Sequence, residues 1–404
     1  MSKRYRLWIL IACVAAVYAA IYVAAGGLDF DARKDEVHFW PTSLQFSQRW
    51  VPSIEQLRGY DELNAPLPFV VFGGVERAFG GGIRTGRAVN LVASLLIVLG
   101  CVLAARDAPS RAARAIAALM IFPYFFACAT HLYTDMLAAL LVFGGIAAYR
   151  KGWGALSAIA FVLAIASRQY MVAFPAAIAA YELIQFLRQR RRGPSAGAVE
   201  PARLGEATAK TRPVMAAYSL LACASLGLWY ALWGGLAPPA ALAHQPVETA
   251  GVLRLLPHNA LYFLACVGAY YVIPETLLFW RQRRGQLVFR PALLIVAAAL
   301  AGLFVLFPPL RNPPSYGIAT MGYLDKAFCA AAGDGVRMVG FYALALLACV
   351  RFSRFRIESA LVLANAALMM KAHIAWDKYA LPLLAALWLL RAMNGPTSAD
   401  GSGE

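Results

Sequence analysis

The chain has 404 residues, of which 61% are hydrophobic and only 14% charged, with a net charge of +16; its mean hydropathy is +0.61. A soluble domain carries about 25% charged residues, so this composition excludes an ordinary soluble fold and implies a polytopic membrane protein. The excess of positive charge does not signal nucleic acid, because it falls in short segments between apolar runs.

Lys3, Arg4 and Arg6 precede a first apolar run at 7–26, which reads as a retained helix because it is too long for a leader and more apolar runs follow. A long polar and aromatic segment, 27–86, comes next. Within it, LQFSQRW has amphipathic character suited to the interface. The apolar piece 67–80, broken by Gly73-Gly74 and Glu76-Arg77, reads as an interfacial or re-entrant helix. Further apolar runs follow at roughly 87–105, 112–129, 131–149, 152–167, 170–187, 214–234, 258–279, 291–308, 335–350, 357–373 and 376–393. Each suits a hydrocarbon core about 30 Å thick, so about twelve transmembrane helices are expected. With the N-terminus inside, 23 of the 37 Lys and Arg lie in inner segments, and every short inner loop is basic. Both termini are then cytoplasmic. The fold class is all-α, with one membrane domain over 1–393, a basic polar linker at 188–213 and a disordered tail at 394–404. Six of the seven cysteines fall within expected spans and only Cys329 outside; no CxxC occurs, so neither a disulfide framework nor a thiolate metal site is expected.

The chemistry-bearing residues gather on the outer side. Asp35-Glu36-Val37-His38 opens the first outer loop, and two adjacent carboxylates with an imidazole at a membrane face point to function more than to a solvated loop. Tyr60-Asp61-Glu62 lies later in the same loop. Acids, rings and prolines together suit a sugar: carboxylates bind or deprotonate hydroxyls, and rings cover the apolar sugar face. FPYFFACATHLYTDM brings Tyr133 and Asp135 to the next outer turn, where an aromatic belt and a helix cap are the competing reading. Arg168 in ASRQYMVAF suits bidentate phosphate binding or snorkelling. His244, His258 and Arg311 lie in later outer segments. Lys371 and Lys378 face the outer side, where charge bias does not require them.

The colinear set resembles the dolichyl-phosphate-glucose alpha-1,2-glucosyltransferases over about residues 1–393. Asp35-Glu36-x-His38 is similar to that family's acidic first-loop motif. FPYFFACATHLYTDM is similar to its Phe-Pro…Tyr-Tyr-Thr-Asp hairpin, SRQYMVAF to its Arg-Gln-Thr-Asn motif, and KYALPLLAALWLLR to an ending shared by polytopic GT-C-type glycosyltransferases. The chain departs where His38 follows Glu36 by two positions rather than three, where Glu62 replaces a proline, and where Tyr170-Met171 replaces Thr-Asn. The resemblance therefore implies the fold and a lipid-phosphate sugar donor more strongly than glucose, the linkage or the acceptor.

Together these readings make the expected activity transfer of a sugar, glucose by default, from a polyprenyl- or dolichyl-phosphate donor to a hydroxyl of a lipid-linked glycan. The place is the outer face of a bacterial inner membrane. Asp35 is the expected general base, with Glu36 beside it. His38, Asp61, Tyr133, Asp135, His244 and His258 would meet substrate, and Arg168, Lys371, Lys378 and Arg311 the donor phosphate. No cofactor is required; a divalent metal across Asp35 and Glu36 is compatible but not expected. The alternatives are another sugar on the same fold, such as mannose or an amino sugar placed on lipid A or protein, and a transporter or lipid flippase.

Overall fold

The computed structural model describes residues 3–192, 211–245, 254–280, 292–311, 321–331 and 333–394. Among these the secondary structure is helical and contains no strand. Most of the basic linker expected at 188–213, and the tail after Asn394, lie outside the described residues.

Helix α1 (Lys3–Ala24) leads into a segment with three short helices, α2 (Glu36–Ser47), α3 (Ile54–Gly59) and α4 (Leu67–Phe79). The bundle follows as α5 (Ile83–Ala104), α6 (Pro109–Ile121), α7 (Pro123–Thr130), α8 (Thr134–Arg150), α9 (Gly154–Ser167), α10 (Ala173–Arg192) and α11 (Arg212–Trp233). A short α12 (Pro239–His244) precedes α13 (Pro257–Val267) and α14 (Ile273–Leu278), which are joined by a π turn at Gly268–Val272. The chain ends with α15 (Ala292–Leu306), α16 (Tyr323–Ala331), α17 (Asp334–Arg351), α18 (Ile357–Met369) and α19 (Leu381–Met393).

Among the described residues, five helices are long and apolar enough to cross a bilayer: Lys3–Ala24, Ile83–Ala104, Gln169–Arg191, Arg212–Trp233 and Pro257–Leu278. The pair α6 and α7 makes a sixth, bent by 78°. The bend falls at Phe122-Pro123, where the extended Phe122 satisfies the steric demand of the following proline. Twelve spans are thus not reproduced on these criteria. Helices α8 and α19 have only 17 and 13 residues, and α17 opens on Asp334 and Arg337.

Helix α19 sits at the centre, packed on α8, α6 and α5. Every residue from Leu381 to Leu390 is buried, including Trp388, as expected for a helix that is apolar all round. Residues at its two ends are therefore held rigidly at opposite ends of the bundle.

The segment between α1 and α5 builds a core of its own. Phe39, Phe46, Tyr60 and Phe69 pack edge-on or tilted with ring centroids 5.5 to 6.0 Å apart. The indole N–H of Trp233, at the end of α11, donates to the Leu57 carbonyl at 2.8 Å and ties this lobe to the bundle. The crossing of α2 over α4 depends on Gly73. A Cβ there would stand 2.4 Å from the Ser43 carbonyl oxygen and 2.7 Å from the Ser47 nitrogen. Backbone cannot yield as a side chain can, so Gly73→Ala is expected to cost at least about 1–3 kcal/mol. Its melting temperature in detergent should fall below that of Gly74→Ala, since nothing lies within 4 Å of a Cβ at Gly74.

Candidate functional site

Four elements distant in sequence meet at one end of the bundle. Asp35 immediately precedes α2, Asp135 lies on the first turn of α8, Arg168 follows α9, and Lys378 lies in the 3-10 turn Asp377–Ala380 before α19. The Lys378 ammonium lies 2.6 Å from Asp35 Oδ2. The Arg168 guanidinium lies 2.6 Å from Asp135 Oδ1 and also donates to Thr134 Oγ1 at 2.9 Å. The phenol of Tyr170 donates to Asp135 at 3.3 Å. Aromatic faces line both cations. Lys378 Nζ is 4.3 Å from the Trp376 ring centroid and 4.9 Å from that of Tyr133, and Arg168 lies over Tyr170 and Tyr379.

Burial differs across the cluster. The side chains of Asp135, Arg168 and Lys378 are at most 6% exposed, whereas that of Asp35 is 28% exposed. Asp35 is therefore the charged group that a ligand can reach first. Burial pushes its carboxyl toward the neutral form, but the charge and hydrogen bond of Lys378, with Arg168 and Lys34, outweigh that and hold it below the ordinary range. His373, in the loop ahead of Lys378, is pushed down to about 4 by burial and by the charges of Arg168 and Lys378. It is a neutral imidazole at pH 7.

Glu36 adjoins Asp35 in sequence but faces the other way. Its side chain is fully buried and takes a bidentate contact from Arg87 on α5, 2.8 Å to each oxygen. It also accepts from the Leu132 N–H at 2.7 Å and the Arg33 N–H at 3.1 Å. Arg87 in turn donates to the carbonyls of Leu28, Phe30 and Asp31, with its guanidinium 3.6 Å from the Phe30 ring centroid. One buried ion pair thus pins the first loop to α5 and to the α7–α8 turn. Burial alone would favour neutral Glu36; Arg87 and the two backbone N–H groups overcome it and keep the carboxyl below its usual range. Glu36 has no free lone pair for substrate, and the expectation of a catalytic role at this position gives way to a positioning one. Asp35 and Glu36, held by different cations, do not form one carboxylate pair.

The remaining expected residues disperse. His38 is exposed on α2. Asp61 and His244 pair at 3.0 Å in an exposed contact between the first loop and α12. His258 is half-buried at the start of α13. Lys371 donates to the Arg254 carbonyl at 3.2 Å rather than joining Lys378. Arg311 is exposed and contacts Cys329 and Asp334, so it does not enter the Arg168–Lys378 cluster. No group of three or more His, Cys, Asp and Glu side chains gathers in metal-holding geometry among the described residues.

Sequence reasoning noted Glu62 beside Asp61 but gave it no role in the site. Its side chain is buried, and burial, followed by the negative charges of Asp35 and Asp61, pushes its carboxyl up to about 8, against a hydrogen bond from Gln245. Two neighbouring carboxylates are thus driven apart, Asp35 ionised and Glu62 protonated at neutral pH. Between about pH 4.5 and pH 8 the unfolded chain releases this proton while the folded chain keeps it, so Glu62 makes stability fall as pH rises through that window. Glu62→Gln should flatten the decline in melting temperature between pH 5 and pH 8 and melt above the parent at pH 8. An unchanged slope would show that Glu62 is ionised in the fold. The available signal was its place beside Asp61, inside YDEL and ahead of two prolines, Pro66 and Pro68.

No family model matches the chain, and no curated protein matches it. Solved structures similar to it include the crystal structure of ArnT from Cupriavidus metallidurans in the apo state, at 16% identity and a TM-score of 0.44. The structure of ArnT from the same organism bound to undecaprenyl phosphate gives 16% identity and a TM-score of 0.43. In both, the overlap covers 95% of this chain and 77% of that one. Overlap of this size assigns neither family nor activity to this chain.

Proposed function

We propose that this chain is a membrane glycosyltransferase that moves a sugar from a polyprenyl-phosphate donor to a hydroxyl of a lipid-linked glycan. The observation that carries the reading is the Asp35–Lys378 contact beside Asp135–Arg168. It unites a half-accessible carboxylate with two buried cations at the end of the bundle that the charge pattern puts outside. The site faces the outer side of a bacterial inner membrane in this reading, and glucose is the default sugar.

The four charges cancel in pairs, so an entering sugar phosphodiester has to share Lys378 and Arg168. As its phosphate draws Lys378 away, Asp35 loses its nearest counter-charge and becomes a stronger base. Donor binding thus activates the base. Asp35 then accepts the proton of the acceptor hydroxyl, whose oxygen forms the new bond to the anomeric carbon from the face opposite the phosphate. The bond from that carbon to the phosphate oxygen breaks, and the electron pair leaves with the lipid phosphate. Lys378 and Arg168 stabilise the charge that develops there, so no acid is needed for the leaving group. Tyr133 and Trp376, which flank Lys378, offer ring faces to the sugar. Asp135 holds Arg168 in place and Glu36 holds the loop that carries Asp35.

The test is transfer by the purified full-length protein in nanodiscs. Radiolabelled polyprenyl-phosphate hexoses and amino sugars are offered with lipid-linked glycans, lipid A and protein as acceptors. Product bearing the label with inverted anomeric configuration is the expected result. Retained configuration would remove the single displacement, and failure to consume any donor would remove the reading.

A further inference from the structure

A second charged cluster lies at the far end of α19. Arg391 on its last turn is one helix length from Lys378, about 20 Å at 1.5 Å per residue. Here four arginines gather, and two of them, Arg351 and Arg391, hold one buried carboxylate. Arg351, at the end of α17, grips Glu275 of α14 with contacts of 2.7 and 2.9 Å, and Arg391 approaches the same carboxylate at 3.5 Å. Arg114 and Arg391 both lie over the Phe279 ring, their guanidinium carbons 4.6 and 4.4 Å from its centroid. Arg114 also donates to the Leu278 carbonyl at 3.1 Å. Arg111, one turn before Arg114 on α6, lies in electrostatic range of both Arg114 and Arg391.

Arg111 is the informative member. Its Nε and one Nη are buried and have no hydrogen-bond partner. Leaving such donors unmet is costly, and more so for a charged group. Nearby acids do not supply the missing acceptors: Glu275 is taken by Arg351 and Arg391, Glu358 accepts from Asn394, and Asp107, exposed and within electrostatic range of Arg111, makes no hydrogen bond to it. A guanidinium with unmet in-plane donors, among like charges at a bilayer surface, calls for an oxyanion.

The structure assigns to Arg111, Arg114 and Arg391 a binding site for the phosphate of an anionic phospholipid, at the end of the bundle opposite the candidate catalytic site. Phe279 and the ends of α6 and α19 form its apolar floor, and the acyl chains run along the lipid-facing helix surfaces. This site is independent of the proposed transferase activity.

The experiment is native mass spectrometry of the full-length protein in detergent, with phosphatidylglycerol or phosphatidylcholine added at equal concentration. Phosphatidylcholine offers the same phosphate but adds a choline cation that the three arginines repel, so the parent should retain one phosphatidylglycerol at least about tenfold more strongly than phosphatidylcholine. The variant R111Q/R114Q should lose that preference, and R111K should keep part of it. Competition by millimolar inorganic phosphate would identify a site for the phosphate group itself; no competition would identify one that needs the lipid. Equal retention of the two lipids by the parent would overturn the proposal, and this comparison needs no variant to fold. An unaltered preference in R111Q/R114Q would overturn it as well.

Discussion

Asp35→Asn is expected to lower sugar transfer by about 100- to 10,000-fold, the usual contribution of a positioned general base. Asparagine keeps the size and a hydrogen bond but cannot take the acceptor proton. It also releases Lys378, now held at 2.6 Å by the carboxylate, to the donor phosphate. Donor affinity should therefore hold or rise while turnover collapses. Lys378→Met should show the opposite pattern, with donor binding weakened and Asp35 left without its nearest counter-charge. Single-turnover kinetics with radiolabelled donor separate the two. If Asp35→Asn transfers at the parental rate, Asp35 is not the base, and Asp61 and Asp135 are the next carboxylates to test.

The second large effect is on stability. Glu36→Gln leaves Arg87 buried against half of its former partner, and breaking a buried pair in this way costs about 3–5 kcal/mol. The expected result is a lower melting temperature with loosening of 27–35, seen as faster amide exchange at Leu132 and Arg33, whose N–H groups now donate to Glu36. A joint replacement, Glu36→Leu with Arg87→Met, should recover much of the loss because neither charge is then stranded. Activity loss in Glu36→Gln at parental stability and exchange would instead make Glu36 a participant in the chemistry.

These two substitutions separate neighbours that a sequence presents alike. Asp35 and Glu36 are adjacent acids, and reading along the chain assigned both to catalysis. The helical start at Glu36 turns consecutive side chains about 100° apart, one toward Lys378 and the other into Arg87. The partners lie 343 and 51 residues away, so local pattern could not tell the two roles apart. The dispersal of the phosphate-binding candidates has the same origin. Lys371 and Lys378 are seven residues apart, yet Lys371 caps a carbonyl at Arg254 while Lys378 enters the cluster.

By itself the sequence determined the membrane environment and the helical class. Apolar run length and the placement of Lys and Arg are summed over many residues, and such sums are insensitive to the fold's details. Tertiary structure alone decided which acid meets which cation. It also decided that Glu36 is saturated, that Glu62 is buried beside Asp35, and that Arg111 is left with unmet donors. Each of those outcomes depends on contacts between helices distant in sequence, where burial fixes the strength of a charge and packing fixes its direction.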